Sequence, residues 1–155
     1  VDAITNGSGI LEHSYTFAGM PIATAGANAV VKYIIDNDIV ALSAKNGAIL
    51  LQKLKDALGD IPAVGDIRGI GMLAGVELVS DRESKTPFDP KLGIAGKIAA
   101  YCLDKGLMVL SGVTGTSDGI VGDALQISPA LTMTPEEMDV AIAILREAII
   151  SVTAI

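Results

Sequence analysis

The chain has 155 residues, of which 50% are hydrophobic, and its 18 acidic and 11 basic side chains give a formal net charge of −7. The high apolar content excludes an intrinsically disordered chain, and the negative charge argues against binding to nucleic acid. A single cysteine excludes an intrachain disulfide framework and a cysteine-rich metal site. The length predicts one domain with its own hydrophobic core.

The N-terminus shows no basic stretch followed by an apolar one, and no segment stays apolar over the length of a bilayer span. We therefore expect no secretory signal and no membrane contact, which favours a cytoplasmic protein. The first residue is Val1 rather than methionine. Either a leader has been removed or the chain is the tail of a longer polypeptide, and the motifs described below favour the tail.

Two helices are predicted in the first part of the chain. The first begins at Pro21, which suits a first helical turn, and runs to about Asp36. It is apolar on most sides and rich in small residues, so it is either a buried core helix or a helix clamped between domains or subunits. The second runs from Ile39 to Leu58, with Asp38 as its N-cap and a glycine after its end.

The rest of the chain alternates short strands with two more helices. Apolar and polar residues alternate from Met72 to Val79 and predict a strand that follows a turn at residues 69–71. Further strands are predicted at 107–110 and 124–127, a third helix from Asp89-Pro90 to Lys105, and a fourth from the capping box at Thr134 to about Val152. This order predicts an α/β fold of the α+β type, in which helices cover one face of a short, mainly antiparallel sheet.

Several polar residues suggest no chemistry of their own. The lone His13 has no neighbouring ligands for a metal site, and the glycine-rich stretch 112–119 lacks the lysine of a phosphate-binding loop, so we interpret it as a flexible loop. Arg68 lies among apolar neighbours, which favours a structural ion pair. Cys102 lies within a predicted helix and is interpreted as an inert core thiol.

The segment Leu11–Pro21 concentrates hydroxyl groups and an imidazole just before a predicted helix N-terminus. Helix N-termini attract anions, because their N–H groups have no partners within the helix and the helix dipole favours negative charge. A phosphate held by Thr16 and nearby amides is therefore one interpretation, and an ordinary polar loop is the other.

The same segment resembles the signature of class III aminotransferases, fold-type-I enzymes that use pyridoxal phosphate (PLP). Family members read roughly Phe-x-His-Gly-x-Thr-Tyr-x-Gly-His-Pro, and here the matches are His13, Thr16, Gly19 and Pro21. The resemblance continues, in the same order, through nearly the whole chain. It includes Val64–Met72, Glu77–Arg82 with Pro87-Phe88, Gly106-Leu107, Asp118-Gly119, Gly122-Asp123 and Ser128-Pro129.

The resemblance implies that the chain is the C-terminal part of such an enzyme, with the fold of a C-terminal domain of a PLP-dependent transferase. Residues 1–20 would be the tail of the large cofactor-binding domain, 21–59 the linking helices and 60–155 the small domain. Thr16, with Tyr15 beside it, takes the position that contacts the cofactor phosphate of the neighbouring subunit. A homodimer with shared active sites is therefore implied.

The lysine that forms the Schiff base with the cofactor lies upstream of this segment in the family, so it would precede Val1. None of the eight lysines in the chain occupies a matching position. We therefore assign no catalytic residue here and expect the chain alone to be inactive.

Many family members carry an arginine shortly before Ser-Pro that binds a substrate α-carboxylate, and here that position is Gln126. In lacking this arginine the chain resembles the broad-specificity omega-transaminases. We therefore name Gln126 as a candidate substrate-binding residue. The implied function is transfer of an amino group from an amine or omega-amino acid to a keto acid. The alternatives are a non-catalytic dimerisation or structural module, and a PLP-dependent aminomutase or racemase of the same fold type.

Overall fold

The computed structural model describes residues 2–10, 16–112 and 122–154, which form two compact units, Val1–Asp38 and Ile39–Ile155. The first unit contains α1 (Asp2–Thr5) and α2 (Pro21–Asp36). The elements of the second unit are α3 (Ile39–Leu58), β1 (Val64–Ile70), β2 (Leu73–Leu78), α4 (Ile94–Asp104), β3 (Leu110–Ser111), β4 (Asp123–Ile127) and α5 (Pro135–Thr153). A single 3-10 turn, Pro90–Leu92, precedes α4. The predicted boundaries at residues 20 and 59 stay a prediction.

In the first unit, α2 has the bounds that the sequence predicts. Proline occupies its first position, and a Lys32–Asp36 ion pair of 2.6 Å joins adjacent turns on its exposed surface. At its C-terminus the Asn37 side chain donates to the Tyr33 carbonyl oxygen at 2.9 Å. No residue of α2 is buried, so the apolar side chains of this helix remain on its surface.

The second unit is built on a four-stranded antiparallel sheet in the order β1-β2-β4-β3. Along β2 the residues Ala74, Val76 and Leu78 are buried, while the residues between them are at least partly exposed. The predicted alternation is therefore confirmed. Buried side chains lie on one face of the sheet because successive residues of a strand point to opposite faces.

Helices α3, α4 and α5 cover that buried face. The described residues of the other face, which we call the free face, are at least partly exposed within the second unit. Each helix contributes apolar residues at helical spacing to a single core, whose largest fully buried members include Leu54, Leu58, Val76, Ile98, Leu125, Met138, Leu145 and Ile149. Burying each of these side chains stabilises the fold by about 1.5–3 kcal/mol. The predicted one-sided arrangement of helices on a mainly antiparallel sheet is confirmed.

The sequence reasoning missed β1 and placed only a turn at its end. The ladder between β1 and β2 shifts register between Val64 and Asp66, so Val64 and Gly65 are both buried before alternation begins. This irregularity and the two glycines of the strand, Gly65 and Gly69, hid the period-2 pattern. The strand predicted at 107–110 was also wrong in extent, since β3 covers only Leu110 and Ser111.

Two predicted helix starts need correction. Asp38 has a φ of 47°, whereas an N-cap residue normally has an extended backbone, so it forms a left-handed turn between α2 and α3. Asp89 does cap, accepting from the Lys91 amide at 2.9 Å, but it caps the 3-10 turn. Gly93, whose φ of 58° is not helical, separates this turn from α4, which begins at Ile94.

The predicted capping box at the start of α5 is confirmed. The Thr134 hydroxyl accepts from the Glu137 amide at 3.3 Å, and the Glu137 carboxylate accepts from the Thr134 amide at 2.8 Å. Further along α5, Arg146 binds both carboxylate oxygens of Asp60 and donates to the Ala57 carbonyl oxygen of α3. The hydrogen bond from Arg146 lowers the pKa of Asp60. Arg146 thereby joins α5 to the C-terminal end of α3.

Two glycines set the distance between α3 and the turn joining β1 to β2. Gly47 is buried in α3, and a Cβ atom built on it would overlap the backbone of Gly71. Gly71 itself has a φ of 53°, a left-handed conformation that favours glycine. The helix can lie this close to the turn because Gly47 carries no side chain.

We expect Gly47→Ala to lower the free energy of unfolding by about 1–3 kcal/mol, because the added methyl group must push α3 away from the turn. The measurement is urea denaturation followed by circular dichroism. Gly96→Ala in α4 is the matched control: its Cβ would meet nothing within 4 Å, so this variant should gain about 0.5–1 kcal/mol from the better helix former. Equal effects of the two substitutions would contradict the close approach.

Candidate cofactor and substrate site

Thr16, the predicted phosphate contact, lies in an exposed turn that leads into α2. Gly19, with a φ of 74°, and a backbone hydrogen bond of 3.3 Å from the Met20 amide to the Phe17 carbonyl shape this turn. The Thr16 side chain is thus on the surface, a few residues before a helix N-terminus. His13 and Tyr15 lie outside the described residues.

The N-terminus of α2 has no side-chain cap. Met20 occupies the N-cap position without a cap hydrogen bond, and the Thr24 hydroxyl donates to the Met20 carbonyl at 2.9 Å. The first amides of a helix have no carbonyl partner within it, so in α2 they need an external acceptor. A 16-residue helix also carries a partial positive charge at this end. The end of α2 can therefore take an anion beside the Thr16 turn.

Gln126, the predicted substrate residue, lies on the free face of the sheet in the second unit. Its backbone pairs with Gly75 of β2 on one side and Leu110 of β3 on the other, and Gly75 pairs in turn with Arg68 of β1. Because paired residues share a face, Arg68 and Gln126 flank a glycine. A shallow groove of about 560 Å³ lies over this row, floored by backbone and small side chains.

Arg68 forms the structural ion pair that the sequence predicts. One nitrogen of its guanidinium, Nη1, donates to Asp66 at 2.6 Å and to Glu77 at 2.8 Å. Hydrogen bonding to Arg68 lowers the pKa of Asp66, and hydrogen bonding to Glu77 and Asp66 raises the pKa of Arg68. Two carboxylates share one guanidinium, so the cluster carries a net negative charge beside the groove.

The lysines of the chain all lie in described segments, and none is buried. Lys32 and Lys53 pair with Asp36 and Asp139, and Lys85 donates to the Gly65 carbonyl oxygen at 2.6 Å. All eight lysine side chains are therefore at least partly open to solvent.

Asp123 is a buried acidic residue that the sequence analysis noted only as part of the family resemblance, without a role. Its carboxylate accepts from the Ala95 amide at 2.9 Å, in the first turn of α4. The aspartate thereby fixes the start of β4, which carries Gln126, against a helix N-terminus. An acidic residue next to a predicted strand is too common for this contact to be predicted from the sequence.

Cys102 is fully buried in α4, as the interpretation of an inert core thiol requires, and burial raises its pKa. Within the described ranges, no three His, Cys, Asp or Glu side chains are arranged to hold a metal ion. None of the helices there has both the length and the apolar character to cross a membrane. The glycine-rich stretch 113–121 lies outside those ranges.

Comparisons with known proteins agree on one family. The sequence model of the family "Aminotransferase class-III" matches residues 1–149. An aminotransferase from Gibberella zeae is 37% identical over 150 residues, which are 96% of this chain and 29% of that protein.

Two solved structures resemble the chain closely. One, an amine transaminase from an uncultivated Pseudomonas species in its PLP-bound form, has a TM-score of 0.79 with 33% identity over 97% of this chain and 32% of that one. The other is an (S)-enantioselective omega-transaminase from Thermomicrobium roseum, with a TM-score of 0.78 and 31% identity over 92% of this chain and 30% of that one. The chain thus spans about three tenths of the length of the proteins it matches.

Replacing Arg68 with glutamine should raise the pKa of Asp66 toward its ordinary value. It should also lower the free energy of unfolding at pH 7 by about 0.5–1 kcal/mol, which is the range for an ion pair screened by solvent. Since folding lowers the pKa of Asp66, this stabilisation is present above about pH 4 and is lost as the pH falls through the lowered value.

The measurement is urea denaturation of both proteins at pH 7 and at about pH 2, with carboxyl carbon NMR to follow Asp66. Arg82→Gln is the control, because Arg82 donates to the uncharged Gly59 carbonyl at 2.7 Å and its effect should not change over this pH range. A stability difference for Arg68→Gln that persists in acid would rule out the ion pair as its cause.

Proposed function

The chain belongs to the class III aminotransferase family, and we propose that it is the C-terminal part of an enzyme that transfers an amino group from an amine or omega-amino acid to a keto acid. The family match over residues 1–149 is the observation that carries this proposal. Class III aminotransferases depend on PLP, which supplies an electron sink for carbanion chemistry when bound. The residues of this chain determine which part of that cofactor it can contact.

The phosphate end of the cofactor fits the Thr16 turn. Thr16 is exposed, and the adjoining N-terminus of α2 lacks a side-chain cap. A hydroxyl donor and the free amides of a helix end together suit a phosphate dianion. We propose that Thr16 donates a hydrogen bond to the phosphate and that Tyr15 lies beside it. In this role the chain binds and orients the cofactor and moves no proton.

The reactive end of the cofactor has no partner among the lysines of the chain. Each of these side chains is at least partly open to solvent, whereas a lysine that forms a Schiff base is commonly desolvated in an apolar pocket. We propose that the lysine that binds the cofactor covalently comes from another part of the full polypeptide. On this proposal the 155-residue chain alone does not transaminate.

Gln126 supports the proposed substrate class. Its side chain is exposed on the free face of the sheet, and its Nε2 atom contacts the Ser128 hydroxyl at 3.4 Å. An amide can donate one hydrogen bond to a carboxylate but supplies no charge, and the nearby Arg68 is already shared by two carboxylates. This face is therefore poor at holding an α-carboxylate, which favours amines and omega-amino acids. The likeness to an omega-transaminase points the same way.

The surface of α2 supports a homodimer with shared active sites. Ile22 and Ile35 are 84% and 72% exposed at opposite ends of the helix, and Val30 and Val31 are more than half exposed. Apolar surface of this extent on one helix is stabilised when another polypeptide surface covers it. We propose that α2 is covered in the assembled enzyme, with the Thr16 turn reaching the partner's cofactor.

In the full-length enzyme, Thr16→Ala should weaken PLP retention by about ten- to hundredfold, the loss expected for one hydrogen bond to a charged group. The measurement is cofactor absorbance after dialysis and the apparent Kd on adding PLP back. Thr16→Ser keeps the hydroxyl and should retain affinity close to the parent enzyme. Unchanged affinity in the alanine variant would remove Thr16 from the phosphate site.

The 155-residue chain alone should form no site-specific adduct with PLP. After incubation with PLP and borohydride reduction, mass spectrometry should show only low, scattered labelling of the exposed lysines. The full-length enzyme, treated identically, should carry one modified lysine outside this segment. Stoichiometric labelling of a single lysine among Lys32–Lys105 would contradict the proposal that the reactive lysine lies elsewhere.

A further inference from the structure

We propose that the second unit contains a binding site for a small, uncharged and largely apolar molecule. The site is a cavity of about 240 Å³ between α3, α5 and the β3–β4 end of the sheet, which we call the apolar pocket. All of its described lining residues belong to the second unit, and this inference does not rest on the proposed function.

The walls of the apolar pocket determine what can occupy it. Leu50 and Leu54 of α3 face Ile142 and Leu145 of α5 across it, and all four are at least 94% buried. None of the described residues that line the pocket carries a charge. An ion would find no charged partner in this lining and would lose part of its hydration, so an apolar ligand is favoured over an ion.

The size of the apolar pocket sets the size of its ligand. An aliphatic cavity of about 150 Å³ holds a benzene molecule, and this pocket is larger at about 240 Å³. It therefore has room for one aromatic ring with a short substituent, or for an alkyl chain of similar volume.

The polar share of the apolar pocket is small. Gln126 and Ser128 are the two polar residues among its described lining residues, and both are exposed. The Gln126 side chain belongs to the opposite face of the sheet, so this residue contributes backbone to the wall. The pocket therefore suits a ligand that is apolar over most of its surface.

The remaining wall is held in place yet can adapt. The buried Asn46 side chain of α3 donates to the Met133 carbonyl at 3.2 Å and lies 3.4 Å from the Leu131 carbonyl, which ties the segment after β4 to the helix. Met108, Met133 and Met138 all line the pocket. Methionine is flexible and polarisable, so these side chains can adjust their positions around a ligand.

The five methionines of the chain make the proposal directly testable. Met108, Met133 and Met138 line the apolar pocket, whereas Met20 and Met72 do not. With the methyl groups labelled with carbon-13, benzyl alcohol titrated into the 155-residue chain should shift the three pocket resonances along one saturable curve. The other two resonances should stay in place. Shifts of all five methyls without saturation, or no shifts up to the solubility limit, would overturn the proposal.

Two alanines on α5 provide matched variants. Ala141 lines the apolar pocket and Ala143 is exposed, so Ala141→Leu fills the space while Ala143→Leu adds the same atoms outside it. Ala141→Leu should weaken benzyl alcohol binding at least about tenfold with an unchanged or raised Tm, and Ala143→Leu should bind like the parent. Equal affinity of the two variants would show that benzyl alcohol binds elsewhere. If Ala141→Leu does not fold, the methionine shift pattern of the parent chain decides.

Discussion

The fold of the second unit depends on a difference between the two faces of its sheet, one of which is buried and the other exposed. Helices α3, α4 and α5 pack on one face and bury the alternate residues of β2 and β4. The opposite face keeps Arg68, Gly75 and Gln126 in one row across three strands. Because a shift of one residue in register would exchange the two faces, the hydrophobic core also fixes which side chains remain available for binding.

Packing contacts outside the row hold it in place. The close approach of Gly47 to Gly71 sets the turn between β1 and β2 against α3, and the Asp123 carboxylate ties the start of β4 to the first turn of α4. Neither contact involves a candidate substrate residue. Each nevertheless positions a strand that contributes to the row, so stability and the geometry of the candidate site are coupled in this unit.

Local signals in the sequence predicted the helices well and the sheet less well. Pro21 and Gly59 mark the ends of α2 and α3, and the Thr134 capping box marks the start of α5, because each works through contacts within a few residues. Helix starts that depend on the path of the chain were predicted wrongly: Asp38 has a left-handed backbone, and Gly93 separates Asp89 from α4. The β1 strand was missed because a register shift conceals its alternation.

The candidate site, too, could be predicted from the sequence only in part. The ion pair of Arg68 could be predicted, because a charged residue among apolar neighbours needs a partner. The row that joins Arg68, Gly75 and Gln126 could not, since pairing between β1, β2 and β4 brings together residues up to 58 positions apart in the sequence. The roles of Thr16, Tyr15 and Gln126 follow from the family resemblance and stay predictions.

The glycine in the middle of that row also bears on how such a protein can diverge. A side chain at Gly75 would meet nothing closer than the Leu125 carbonyl oxygen, 3.9 Å from its Cβ, and would project over the shallow groove. A single codon change there could therefore reshape the floor of the groove at little cost in folding free energy. The free face of this sheet is thus a place where new ligand preferences can arise by single substitutions while the packed face stays unchanged.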